Sequence, residues 1–349
     1  MKQQGQQIGK GRGIRLPDLL IFLFTFSAFA ACGARTGLLT PTEAGAPADT
    51  GADVADVTVD VPEEPDAAVE ADAAQEPEAI EEDVAPFPDG PNNCPDAGST
   101  LVYLITQQNV LMSFYPPTTA FTTIGTINCP DPGGGTPFSM AVSRSGVAYV
   151  VFTSGNLFRV STLTAACVAT PFVPGATAFP QQFGMGFSAD ALDAGTDGGE
   201  TLYVAGDPGW STMMPGPASL ASIDTTSYAL RVVGLFSPTI LEPELTGTGA
   251  GNLYGFWATD TMSDTSIVQI DKPTAHVTTV VTLPGVTLGG GWAFSFWGGD
   301  FYVFTAPGGA GSTSVVTRYR PSDGSITQVA TAPSVTIVGA GVSTCAPQM

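Results

Sequence analysis

From about residue 94 onward the chain is written in short apolar runs rich in Val, Ile, Phe, Tyr and Thr, separated by clusters of Gly, Pro, Ser and Asp. Helical periodicity is almost absent, so the pattern predicts an all-β domain built from many short strands. Five runs carry a tyrosine in a similar setting: Leu101-Val-Tyr103-Leu, Val147-Ala-Tyr149-Val, Leu202-Tyr203-Val, Leu253-Tyr254-Gly-Phe and Phe301-Tyr302-Val-Phe. The tyrosines are spaced by 46, 54, 51 and 48 residues, about the length of a four-stranded propeller blade.

The surroundings of each tyrosine complete the unit. Four of the five follow a strand of small residues and a tight turn: Ser139–Ser143, Gly184–Ser188, Leu245–Gly249 and Trp292–Phe296. After every tyrosine come two further strands joined by a turn rich in Asp, Pro and Gly, such as Pro321-Ser-Asp-Gly324. The fourth strand of the second repeat is expected over Val168–Phe172.

The first repeat lacks its leading strand. The last strand-like stretch, Val335–Cys345, is of the leading type and has no tyrosine after it. One arrangement accounts for both: a five-bladed β-propeller whose last strand completes the first blade, removing two exposed sheet edges.

Cysteines sharpen this arrangement. Of five, Cys94, Cys129, Cys167 and Cys345 lie in the predicted β domain, and four cysteines allow three pairings. Strand order brings the end of the closing strand to the start of the first tyrosine strand, which predicts a Cys94–Cys345 bond. The chain-entropy relation gives about 5 kcal/mol for closing so long a loop. Cys129 and Cys167 are then left for each other. Because Cys129 follows an outer strand and Cys167 precedes one, that bond requires shifted strand limits or a draped loop.

The fifth cysteine belongs to a different segment. Residues 1–31 read as an export signal, with Lys2, Lys10, Arg12 and Arg15 ahead of the apolar run Leu19–Ala31. This run is short for a membrane span. In Phe29-Ala-Ala-Cys-Gly33, small residues flank Cys32 as in the lipidation site of a bacterial lipoprotein; the alternative is an ordinary signal peptide with an incidental cysteine. Residues 32–93 then form a linker rich in Ala, Asp, Glu and Pro, leaving residues 94–349 as the propeller domain. The linker holds 16 acidic residues between Glu43 and Asp89 with no Lys or Arg, and it contains one aromatic, Phe87. Such a composition buries too little apolar area to offset chain entropy, and its like charges extend it. It reads as a disordered tether.

Locating the charge changes the meaning of the total of −21: from Cys94 onward there are 15 acidic and 6 basic residues. No basic cluster is available for phosphate, so nucleic acid is excluded as a partner. Phe183-Gly-Met-Gly-Phe187, Glu244-Leu-Thr-Gly-Thr-Gly249, Ala293–Asp300 and Ile337–Cys345 resemble the corresponding phrases in a family of bacterial envelope lipoproteins with a propeller-like domain. The resemblance spans roughly Cys94 to Pro347. It implies a propeller fold located at the envelope, and no activity for any residue.

Candidate chemistry is sparse. His276 is the single histidine and falls in the predicted turn Asp271–His276, so a Ser-His-Asp arrangement would have to stand on a surface loop. Zinc lacks a ligand set. The runs Gly133–Gly135, Gly289–Gly291 and Gly308–Gly311 lack the Lys-Ser/Thr ending of a phosphate loop. Calcium is the one metal with a candidate site, the insertion bearing Asp190, Asp193, Asp197 and Glu200, although the spacing departs from the EF-hand and an acidic insertion also serves solubility alone. Carboxylates for lyase or hydrolase chemistry at the channel mouth would come from Asp207, Asp260, Asp264 or Asp300.

The stronger expectation is a binding surface rather than an enzyme, with no resident cofactor. The long loops Gly206–Ser219, Thr259–Ser266, Pro284–Gly291 and Ala306–Ser314 fall on one face and carry Trp210, Met213, Met214, Met262 and, at a strand start, Trp292. Aromatic and Met side chains on loops of a rigid scaffold suit a protein, glycan or small ligand. Folding inward to plug the channel is the competing reading. Trp257 and Trp297 are expected in the core. The expected protein is a monomer held to the outer membrane by lipid on Cys32.

The tether reading predicts that limited proteolysis cuts within residues 40–90 and leaves a resistant fragment beginning near Cys94. A protease-resistant linker would overturn it, with the fragment mass as the measurement.

Overall fold

The computed structural model describes residues 100–175, 177, 179–190, 199–206 and 216–349. The expected signal, Cys32 and the linker lie outside these residues, as does Cys94. Among the described residues twenty strands form five four-stranded antiparallel sheets. Blade 1 holds β1 (Val102–Thr106), β2 (Val110–Tyr115) and β3 (Ala120–Thr126). Blade 2 holds β4 (Pro137–Val142), β5 (Val147–Phe152), β6 (Leu157–Ser161) and β7 (Cys167–Ala169). Blade 3 consists of β8 (Phe183–Ala189), β9 (Glu200–Gly206), β10 (Ser219–Ile223) and β11 (Leu230–Leu235). Blade 4 consists of β12 (Glu244–Gly247), β13 (Leu253–Trp257), β14 (Thr265–Asp271) and β15 (His276–Leu283). Blade 5 runs through β16 (Trp292–Trp297), β17 (Asp300–Thr305), β18 (Val315–Arg320) and β19 (Ser325–Thr331).

The last strand, β20 (Ile337–Val342), pairs antiparallel with β1, Val102 opposite Val342 and Leu104 opposite Ala340. It supplies the inner strand of blade 1, as ring closure requires. The five inner strands contact one another in the cyclic order β20, β4, β8, β12, β16 and back to β20.

Small residues on these strands are a steric necessity. A Cβ added to Gly184 would stand 2.2 Å from the Pro243 carbonyl oxygen, and one added to Gly247 would stand 2.2 Å from that of Phe187. On the closing strand, a Cβ at Gly341 would come within 2.7 Å of the Val142 nitrogen. Inner strands therefore meet backbone to backbone, and the middle of the channel is filled by the protein itself.

Between each pair of adjacent blades lies an apolar layer. Blades 5 and 1 are joined by Val102, Phe114, Phe304, Val316 and Ala340, in the same manner as the other four junctions. Phe114 and Phe304 meet edge to face across this seam, centroids 5.7 Å apart, an aromatic contact worth about 1 kcal/mol beyond its buried area. The outer strands are more solvated, and four of the five outer pairs carry an irregularity of register. The fifth outer strand, β7, is only three residues long. Both devices blunt exposed edges.

Cys129 and Cys167 form a disulfide with Cα atoms 5.0 Å apart. No draped loop is needed. Blade twist brings the end of β3 beside the turn before β7, so that a Cβ on Gly125 would lie 3.0 Å from that of Ala165. The expected strand Val168–Phe172 is corrected to Cys167–Ala169, which starts at the cysteine and stops where Pro171 cannot donate to a ladder. Cys345 is also disulfide-bonded, and its expected partner Cys94 lies outside the described residues.

Gly247→Val should lower stability by about 3 kcal/mol, read from the midpoint of chemical denaturation. Gly234→Ala on an outer strand, where an added Cβ meets nothing within 4 Å, should stay within about 0.5 kcal/mol. Equal effects would show that inner-strand contact does not limit the fold.

Candidate functional site

The inner strands all start on one face, here the upper face, which also carries the loops joining second to third strands. On this face the channel opens into a cavity of about 160 Å³. Its wall is made by the first residues of inner strands, Pro137, Phe138, Glu244, Trp292 and Val338, with Gln107 and Thr153 from the loops of blades 1 and 2. Gly290 and Gly291 bring the strand leading to Trp292 close in: a Cβ on Gly290 would stand 2.1 Å from the Gly309 carbonyl carbon, so only glycine permits this approach.

Glu244 dominates the chemistry of this cavity. Only 4% of it is exposed, and its Oε2 accepts a 2.8 Å bond from Ser139 Oγ of blade 2. Ser139 Oγ in turn accepts from the Met185 N–H of blade 3 at 3.2 Å. Three blades thus converge on one carboxyl. Burial pushes Glu244 well above the ordinary carboxylate range, and the bonds from Ser139 and Met185 offset this only in part. No ion pair to Glu244 occurs among the described residues.

Glu244 was not among the expected site residues. It stood in the sequence as the first letter of a small-residue phrase, and the expected inner strand began one residue later, at Leu245. The structure begins β12 at Glu244, directly on the channel rim.

Expected site residues scatter by comparison. Trp292, the first residue of β16, is half-buried and lines the cavity. Met262 is 74% exposed on the upper loop between β13 and β14 and does not reach the cavity. That loop is tied to its neighbour by the Gly289 N–H, which donates to the Thr261 carbonyl at 3.0 Å. Trp210, Met213 and Met214 lie outside the described residues. Trp257 and Trp297 are half-buried against the core, and Trp297 Nε1 donates to the Thr100 carbonyl at 2.7 Å.

The other carboxylates are engaged elsewhere. Asp260 accepts from the Met262 and Ser263 backbone within its own loop, and Asp264 accepts from Gly285 N–H at 2.7 Å. Asp300 sits at the opposite end of its blade, paired with Arg320 at 3.2 Å and Arg318 at 3.7 Å. Asp207 lies outside the described residues. His276 opens β15 on an exposed outer strand rather than closing a turn.

At the acidic insertion, Asp190 accepts from Thr201 Oγ1 at 2.6 Å. Glu200 accepts from the Arg144 N–H at 2.6 Å and from Thr344 Oγ1 at 2.9 Å, while Arg144 Nε donates to Thr344 Oγ1 at 3.2 Å. These bonds lace blades 2 and 3 to the segment after β20 on the lower face. Burial raises Glu200, with the Arg144 and Thr344 bonds working against it. Asp193 and Asp197 lie outside the described residues, and among the described residues no group of three or more metal-binding side chains occurs.

The lower face is also crossed by the chain after Cys345. Gly298 N–H donates to the Pro347 carbonyl at 2.8 Å, and the Thr344 carbonyl lies against Gly249. The channel therefore has a laced lower end and a cavity at its upper end.

A buried acid with a raised pKa makes folding favour the protonated form. Stability should fall as pH rises from about the ordinary Glu value of 4.5 towards the raised one, since the unfolded chain gives up its proton first. Glu244→Gln should accordingly raise the melting temperature at pH 7 and change it little near pH 4. A variant destabilised equally at both values would contradict a protonated Glu244.

No protein-family model and no curated protein sequence matches the chain. Among solved structures, one described as a nidogen/laminin complex is similar at 13% identity and a TM-score of 0.42, over 70% of this chain and 98% of that one.

Proposed function

We propose that this chain is a binding protein that captures its partner on the upper face of the propeller, through the cavity around Trp292 and Glu244. The observation that carries this reading is the convergence of four inner-strand starts on a cavity with an aromatic wall and a single buried acid. Rigid elements hold these residues, which favours recognition with little ordering cost. Catalysis of the lyase or hydrolase kind is less well supported, because Asp260 is bonded within its own loop, Asp264 to the Gly285 N–H of the next loop and Asp300 to Arg320.

The cavity volume supports recognition of a small feature of a larger partner. Sites for whole drug-sized ligands run to about 300–1,000 Å³, whereas a cavity near 150 Å³ holds something the size of one benzene ring. The rest of the partner would lie over the surrounding loops. In this proposal Cys32 carries lipid, residues 32–93 are the tether, and the propeller works at the bacterial envelope. Several acyl chains would give durable anchoring where one gives only marginal binding.

Capture from a solubilised native envelope by the full chain tests the reading. Trp292→Ala should reduce recovery of the bound partner at least tenfold while far-UV circular dichroism stays unchanged. Ile326→Ala on an outer strand should recover it in full. Undiminished capture by Trp292→Ala would overturn the assignment of the upper cavity.

A further inference from the structure

We propose that the upper cavity receives a primary alkylammonium group, the end of a lysine side chain on a protein partner, with Glu244 as counter-ion and Trp292 and Phe138 as walls. The inference rests on the binding reading above and specifies its ligand chemistry.

Three features of the cavity select this group. The first is the donor and acceptor inventory around Glu244. Its protein neighbours Ser139 and Met185 offer hydrogens, and no cation stands against it among the described residues. A carboxyl so placed has positive charge as its missing partner, and an ammonium brings three donors to it.

The second feature is the wall. Trp292 and Phe138 line the cavity together with Pro137 and Val338, so a methylene stem and a cationic head would both find suitable contact. Aromatic faces attract an ammonium, more strongly once it is desolvated. A volume of about 160 Å³ takes the end of such a side chain and excludes a bulky one.

The third feature is charge. An anion would enter a cavity floored by an acid and lacking a basic residue, in a domain with 15 acidic and 6 basic residues from Cys94 onward. A cation is drawn in by the same field. A neutral hydroxyl or carbonyl could bond a protonated Glu244, but would leave its charge-forming capacity unused; the two cases differ in the sign of their pH dependence.

Other groups facing the carboxyl do not confuse that sign. Among the described residues, β4, β8, β16 and β20 carry no ionisable side chain, and the Tyr254 of β13 lies towards the opposite end, opposite Thr246. Asp131, behind Thr136, is held ionised: burial works against this, but bonds from Asn156, Gly135, Ser154 and Gly133 prevail. Glu242, two residues before Glu244, has an interaction of its own and does not line the cavity.

Ammonium binding requires the ionised acid, so each binding event releases a proton from Glu244 to solvent below its raised pKa. Affinity should therefore climb with pH, approaching tenfold per unit, and level off above that pKa. A lysine amine, with an ordinary pKa of about 10.4, stays charged throughout.

The test is isothermal titration of the full chain with N-acetyl-lysine methylamide between pH 5 and 8, repeated in buffers of different ionisation enthalpy. N-acetyl-norleucine methylamide and methyl glucoside serve as neutral comparisons. The expected result is binding of the lysine probe alone, with proton release and affinity rising with pH, and at least tenfold weaker binding by Glu244→Gln. Equal binding of either neutral compound, affinity that falls with pH, or no binding of the lysine probe would each overturn the ammonium assignment. Envelope capture that is lost in Trp292→Ala would leave the binding reading standing in any of those cases, so the two failures remain distinct.

Discussion

Direct backbone contact between inner strands is the constraint on which the rest of the molecule depends. Five blades close a ring of small radius, and at Gly184, Gly247 and Gly341 an added Cβ would meet the neighbouring strand within 2.2 to 2.7 Å. Because the strands touch, the middle of the channel is solid. Any site on the axis must then lie at one end of it, where the strands diverge. The upper cavity is a consequence of this geometry: it occupies the space above the point where β4, β12, β16 and β20 can no longer touch.

The two ends of the channel are treated differently. Below, Arg144, Glu200 and Thr344 join blades 2 and 3 to the segment after the closing strand, and Gly298 binds the Pro347 carbonyl from blade 5. These contacts reinforce the seam that the pairing of β20 with β1 creates. Above, Trp292 and Phe138 wall the cavity beside Glu244. Ring closure is thus anchored at the lower face, and the cavity lies at the upper rim.

Much of this architecture was legible in the sequence because it repeats. Five tyrosines at nearly constant spacing marked the second strands, and the Gly-Ala-Gly-Val phrase of β20 matched the inner strands. Other features left no linear trace. The turns before the outer strands place Thr119, Ala165, Tyr228 and Ala275 at positive φ, and only the fifth blade uses glycine there, Gly324. The Cys129–Cys167 bond looked awkward in strand order because blade twist has no counterpart in a list of strands. Asp190 and Glu200 are close in sequence, yet Glu200 is directed to Arg144 and Thr344, 56 and 144 residues away in the chain.

Glu244 illustrates why a site can be hidden while its scaffold is plain. As one of fifteen acidic residues from Cys94 onward, it carried no distinguishing spacing. Its character comes from Ser139, 105 residues earlier, and from the closeness of β8 to β12 that Gly184 allows. A buried carboxyl at such a place is costly to the fold, since protonation or ionisation must be chosen without water to help. Replacing it with an apolar side chain would relieve that cost, so stability alone gives no reason for an acid on the rim. The proposed partner would give one: the unfavourable burial of a lone acid would become attraction in a complex where the opposite charge is supplied.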